Sequence, residues 1–283
     1  MSHRKLLNIF GLKWNPFSQD LPTEAIRISE DIKRFAWCIE ELSTGGGFAM
    51  VTGDPGTGKS VVLRYLEQRL SEIRDLSVCC ITRPQSGTAD FYRELGEVFG
   101  TSLGSANRWG GFKVLREKWK TKLESSLRRP VILIDEAQEM PSSVLSELRL
   151  LASDRLDSQS LLTVVLAGDG RLTDKFRQED LIPLGSRIRT RLTLETMSAK
   201  DLFDGIQYAI TTAGNAKLMT VEVMKTLAEH SFGNWRAAMN MAQGLLLAAA
   251  AEERIEIDEQ LYFEVFAPAK RPRGKKRKPA NAG

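Results

Sequence analysis

Five short apolar runs rich in β-branched residues punctuate the first two-thirds of the chain, at 48–52 (FAMVT), 77–82 (SVCCIT), 131–134 (VILI), 161–167 (LLTVVLA) and 191–194 (RLTL). Between them the apolar positions recur at helical spacing, as Val62, Leu63, Leu66 and Leu70 after the first run and Val144, Leu145, Leu148 and Leu151 after the third. Strands that alternate with amphipathic helices predict a parallel α/β sheet covered by helices. After Leu194 only the helical period remains. Ser198 and Asp201 form a capping-box pattern before Leu202, Phe203, Ile206 and Ile210; Val223, Met224 and Leu227 mark a second helix; Trp235, Met239, Ala242 and Leu246 mark a third; and Asp258 caps a short last one with Leu261, Tyr262 and Val265. The expected organisation is therefore an α/β domain over 1–195, a small all-α domain over 196–267, and a Pro/Gly/Lys/Arg tail over 268–283 that cannot build a core and is expected to be disordered.

The composition, 42% hydrophobic and 27% charged over 283 residues, excludes a wholly disordered chain. No apolar run reaches the roughly 18 residues of a membrane span, and the opening MSHRKLLNIF lacks a signal-peptide apolar region, so a cytoplasmic protein with no membrane partner is expected. Cys38, Cys79 and Cys80 are read as reduced, small apolar residues. The net charge of +4 conceals an asymmetry. The tail holds seven basic residues and no acid, which leaves the rest of the chain with 33 basic against 36 acidic residues, a net −3. A second basic stretch, 108–129, carries eight basic residues against Glu117 and Glu124. Positive charge concentrated on a near-neutral body points to a polyanion.

The chemistry is concentrated at two strand ends. Gly53, Asp54, Pro55, Gly56, Thr57, Gly58, Lys59 and Ser60 fit G-x-x-x-x-G-K-[ST], with a strand running in and an amphipathic helix running out. Glycines let backbone N–H groups turn toward phosphate oxygens, the helix N-terminus adds partial positive charge, Lys59 reaches the β- and γ-phosphates, and Ser60 ligates Mg²⁺. The third run ends in Asp135 and Glu136, at the strand end where ligands of parallel sheets bind. Asp135 is expected to hold Mg²⁺ through water, and Glu136 to polarise the water that attacks the γ-phosphate. The pair therefore predicts a Mg²⁺-dependent ATPase with ATP as its ligand.

With both motifs present the sequence resembles the AAA+ ATPases from about Phe10 to Phe266. The resemblance implies a P-loop AAA+ sheet sandwiched by helices, with a helical lid. It also implies a sensor-one residue after the fourth strand at Asp169, an arginine finger acting on a neighbouring subunit at Arg187, with Arg189 and Arg191 as alternatives, and a sensor-two contact from Arg236 in the run Gly233-Asn234-Trp235-Arg236. A finger acting in trans requires an oligomer, as a ring or helical filament.

Within that family FGLKWNPFSQD, GGGFAMVTGDPGTGKS, LIDEAQEM and SRIRTRLTLETMS resemble the branch of ExeA-like secretion ATPases and the transposition regulators of the TnsC, TniB and MuB kind. A secretion member is expected to continue into a membrane span and a cell-wall-binding region, so a chain ending in a basic tail is expected on the transposition side. That resemblance implies ATP-bound oligomers that coat duplex DNA, mark a target and recruit or activate a transposase, with a targeting adaptor as a further partner. The stretch 108–122 falls where such relatives carry DNA-facing loops, making Arg108, Lys113, Arg116 and Lys120 the candidate DNA contacts. Two alternatives stay open: a secretion-associated ATPase without a DNA role, and a nucleotide-switched adaptor with negligible turnover.

Overall fold

The computed structural model describes residues 3–18, 20–22, 25–81, 83–101, 108–126, 128–154 and 159–266. The tail 268–283 lies outside them. Twelve α-helices and seven strands follow in the order α1 (His3–Phe10), α2 (Glu30–Gly45), β1 (Gly47–Gly53), α3 (Lys59–Ser71), β2 (Leu76–Ile81), α4 (Thr88–Val98), α5 (Arg108–Ser126), β3 (Arg129–Ile134), α6 (Ser142–Ala152), β4 (Ser153–Asp154), β5 (Gln159–Ser160), β6 (Thr163–Gly168), α7 (Gly170–Lys175), α8 (Ile182–Gly185), β7 (Ile188–Leu194), α9 (Ala199–Thr212), α10 (Val221–His230), α11 (Trp235–Ala251) and α12 (Glu259–Phe266) among the described residues.

Five strands form one sheet in the order β2-β3-β6-β1-β7, every neighbouring pair parallel. Side chains alternate across it, as the pleat requires. Phe48, Met50, Ile132, Ile134, Val164 and Leu166 face a core shared with α4, α5 and α6, while Ala49, Val51, Val131, Leu133, Val165 and Ala167 face one shared with α2 and α3. The central strands are apolar on both faces because both are covered, which is why they read as unbroken runs. The fold is the parallel α/β sheet sandwiched by helices that the sequence predicts. The last strand begins at Ile188, ahead of the apolar run at 191–194, because an edge strand exposes alternate residues, Arg189, Arg191 and Thr193.

The helices after β7 bury a separate apolar cluster that includes Leu202, Ile206, Val223, Leu227, Leu245 and Leu261. Their caps are those expected: Ser198 Oγ accepts from Asp201 N at 3.1 Å, and Asp258 Oδ1 from Leu261 N at 2.9 Å. One expectation is corrected. The division at residue 195 assigns the whole N-terminal segment to the sheet, yet Leu6, Phe10, Leu12 and Phe17 belong to the helical cluster. Backbone and side-chain bonds hold them there, with Lys13 N donating to Ala213 O at 2.8 Å and Asn215 Nδ2 to Phe10 O at 2.9 Å.

The basic stretch is corrected as well: it is the helix α5, whose Leu115 and Trp119, one turn apart, are fully buried in the sheet core. No described helix is long and apolar enough to cross a membrane. The three cysteines are free, as expected, and burial pushes the Cys80 thiol up to about 12.

Candidate nucleotide site

β1 ends at Gly53 and α3 begins at Lys59, so the turn between them lies at the carboxyl end of the sheet. Gly56 and Gly58 take φ of 89° and 106°, a region L side chains rarely adopt, which turns the intervening backbone inward. Thr57 Oγ1 closes the turn on Asp54 O at 2.9 Å. Lys59 is only 6% exposed, and its Nζ donates to Gly53 O at 2.9 Å and Asp54 O at 3.2 Å, which holds the ammonium over the loop. Ser60, next along, is exposed.

Two strands away, β3 delivers Asp135 and Glu136. Asp135 Oδ1 accepts from Glu136 N at 2.9 Å, and Glu136 sits in the left-handed region at φ 51°. For a residue with a Cβ that conformation is costly and is commonly maintained at functional positions. It turns the exposed Glu136 side chain into an open cleft shared with Glu139 and the 83–86 loop. Between these strands lies β6, which ends beside β1 with Gly168 opposite Thr52. Asp169 follows and caps α7, its carboxylate accepting from Arg171 N at 2.9 Å and pairing with the Arg171 guanidinium at 2.8 Å. The hydrogen bond from Arg171 holds the Asp169 carboxyl below its usual range against opposing desolvation, and the Lys59 charge adds to the effect.

The lid closes the other side. Asn234 caps α11 by accepting from Ala237 N at 3.0 Å, and its Nδ2 donates to Pro55 O at 3.0 Å across 179 residues of chain. A Cβ on Gly56 would lie 2.3 Å from Asn234 Oδ1, so the glycine is what lets the lid sit on the loop. Arg236 N donates to Gly56 O at 3.4 Å, which brings this exposed residue to the loop rim.

The remaining expected residues are elsewhere. Arg187 follows α8 and donates to Pro183 O, while Arg191 Nη2 donates to Gly185 O at 3.2 Å and Arg189 is exposed on the edge strand. Of the α5 residues, Arg116 donates to the end of α6 at Leu150 O (3.1 Å) and Leu151 O (3.0 Å) and pairs with Asp154 at 2.9 Å. Lys120 also pairs with Asp154, at 2.9 Å. Both are engaged within the chain through Asp154. Lys113 is exposed, and the Arg108 side chain lies outside the described residues. Beside Lys113, Trp109 is 73% exposed and stacks on Phe112, with centroids 5.6 Å apart and planes 9° apart.

The amide of Gln138 and the contact of Asn234 with the phosphate loop were not foreseen from the sequence. Both act through contacts distant in the chain, and neither residue type carries a chemical signature of its own.

The donor set suits Mg²⁺, a hard cation that takes oxygen ligands: the Ser60 hydroxyl and the Asp135 carboxylate are both accessible, and the latter ends a buried strand. The loop suits a polyphosphate, since its inward backbone, helix N-terminus and Lys59 present only positive charge.

An AAA domain matches residues 42–176. The chain is 31% identical over 247 residues to the General secretion pathway protein A of Aeromonas hydrophila, an alignment covering 86% of this chain and 44% of that protein, so the chain spans less than half the length of the curated relative. Among solved structures it resembles the Aeropyrum pernix ORC2 protein, with a TM-score of 0.72 at 15% identity over 88% of this chain and 70% of that one. It also resembles the Aeropyrum pernix ORC1 protein in complex with DNA, with a TM-score of 0.65 at 17% identity over 94% and 70%. The matched AAA domain, the phosphate loop and the sheet order together give this chain the P-loop fold of the AAA+ ATPases.

Proposed function

We propose that the protein binds ATP with Mg²⁺ and hydrolyses it, and that ATP-bound subunits assemble on duplex DNA as a regulator of transposition. The hydrolytic part is supported by one observation above the rest: Glu136 stands in the open cleft at the end of β3, while Lys59, Asp135 and Asp169 occupy the same end of the sheet. Lys59 binds and orients the β- and γ-phosphates; Ser60 and Asp135 would hold Mg²⁺, which supplies charge neutralisation between the phosphate oxygens. Glu136 accepts a proton from the water aligned behind the γ-phosphate. Arg236, beside Gly56, contacts the phosphates from the lid, and Arg187 reaches a neighbouring subunit's nucleotide.

The DNA part is supported by the distribution of charge, by the exposed Lys113 and Trp109, and by the likeness to the Aeropyrum pernix ORC1 protein in complex with DNA. Duplex DNA, further copies of the chain, a transposase and a targeting adaptor are the proposed partners, in the cytoplasm. A second reading, a secretion-associated ATPase without a DNA role, is favoured by the 31% identity to a secretion-pathway protein. Anisotropy of a labelled duplex with a non-hydrolysable ATP analogue separates the two. The DNA reading expects nucleotide-dependent binding that weakens with salt by roughly 0.9 log units per phosphate contact for each log unit of salt. Absence of binding favours the second reading, and salt-insensitive or nucleotide-independent binding counts against the first.

A further inference from the structure

Gln138 is 5% exposed and carries a side-chain amide with partners at both ends. Its Oε1 accepts from Asp169 N at 3.3 Å, and its Nε2 donates to Glu136 Oε2. The orientation is forced by chemistry: a backbone N–H can only donate, so the oxygen must face Asp169, which leaves the NH₂ group to face the carboxylate. A carboxylate side chain of the same length could accept from Asp169 but would repel Glu136, and a hydroxyl would be too short to reach both.

The surroundings are shaped for this amide. A Cβ on Gly168 would stand 2.6 Å from Gln138 Oε1, so a larger residue at the end of β6 would displace the amide. The Gln138 carbonyl accepts from Lys175 Nζ at 2.6 Å, fixing the residue from the side of α7. Asp169, at the far end of the amide, is bonded to Arg171, which reaches on to Glu139 at 2.8 Å. A continuous polar chain therefore runs from Glu136 through Gln138 to the end of β6 and back to the cleft.

Resting on the hydrolytic reading above, we infer that Gln138 is the positioning residue for Glu136: its amide holds Oε2 of the carboxylate, leaves Oε1 to take the proton from water, and ties that geometry to Asp169 at the end of β6. Glu136 needs such a support. Its backbone is in a costly conformation and its side chain opens to solvent, so without a bond at one oxygen the carboxylate would sample rotamers in which neither oxygen meets the water.

The test is a double-mutant cycle in single-turnover hydrolysis, with ATP affinity and melting temperature measured on the same proteins. Gln138→Met keeps the length and removes the amide; it is expected to lower the hydrolysis rate by about 10- to 100-fold while ATP affinity stays within about twofold. In a Glu136→Gln background the same change is expected to alter the rate by less than about threefold, because there is no carboxylate left to position. Gln138→Glu retains the acceptor for Asp169 N and serves if the methionine variant does not fold. It is expected to lose hydrolysis and melting temperature together, and the pair Glu136→Gln with Gln138→Glu to regain the melting temperature, since the restored amide faces a carboxylate, but not the rate. Parental hydrolysis in Gln138→Met, or an equal factor of loss in both backgrounds, overturns the inference. Should Glu136→Gln itself hydrolyse ATP at the parental rate, the hydrolytic reading fails first, and that outcome is read independently of Gln138.

Discussion

Asn234 is the point at which the lid meets the phosphate loop, and two substitutions there separate its two bonds. Asn234→Ala removes the cap of α11, worth about 1 kcal/mol, and the Nδ2 bond to Pro55 O, worth about another 1 kcal/mol net. At roughly 2–4 °C per kcal/mol for a protein of this size, the total lowers the melting temperature by about 4–8 °C. Asn234→Asp keeps an acceptor for Ala237 N and places a negative charge at a helix N-terminus, which offsets the lost donor by about 0.3–1 kcal/mol once the oxygen replacing Nδ2 turns away from Pro55 O. Its melting temperature stays within about 2 °C of the parent. The same charge then stands over Gly56, whose Cβ position is 2.3 Å from the present Oδ1. Two like charges near 4 Å cost about 1 kcal/mol even in bulk water and more beside protein, so ATP affinity falls by at least about fivefold. Thermal shift and titration of a fluorescent ATP analogue read the two effects. If Asn234→Asp melts as low as Asn234→Ala, or binds ATP as tightly as the parent, the placement of Asn234 at the cap and over the loop is refuted.

Two further outcomes follow from the fold and the proposed assembly. Trp119 is fully buried and packs edge-to-face on Phe99 at 5.3 Å, and its Nε1 has no hydrogen-bond partner among the described residues. Trp119→Ala therefore costs about 3–5 kcal/mol in denaturant unfolding, and Trp119→Phe much less because only volume is lost; equal costs would contradict a packing role. Mixing Arg187→Ala subunits with Lys59→Ala subunits restores part of the ATPase activity that each lacks alone, since each supplies the group the other is missing. Full activity in Arg187→Ala by itself moves the finger to Arg189 or Arg191.

The parts legible in the sequence are those carried by local pattern. β1, the glycine loop and α3 form one unbroken signal, and the caps at Ser198 and Asp258 are each decided within three residues. What was not legible depends on contacts far apart in the chain. Leu6 and Phe10 occupy a helix of eight residues whose apolar face gives no hint that it is covered by α9 to α12 rather than by the sheet. In α5 the basic residues surround the helix and mask the Leu115 and Trp119 pair, while the acceptors of Arg116 lie 34 and more residues away. The run Asp135-Glu136-Ala137-Gln138 shows two acids plainly, but the partner that makes the glutamine matter, Asp169 N, arrives just past the end of another strand.

The central claim is that the carboxylate of Glu136 polarises the attacking water, and single-turnover hydrolysis by Glu136→Gln tests it most directly. The substitution keeps the side-chain shape, the loop and Asp135, so a fluorescent ATP analogue should bind with unchanged affinity. The rate should fall by about 10²- to 10⁴-fold, the contribution expected of a positioned general base. Tight binding with the rate lost is the predicted result; tight binding with the parental rate would contradict the account.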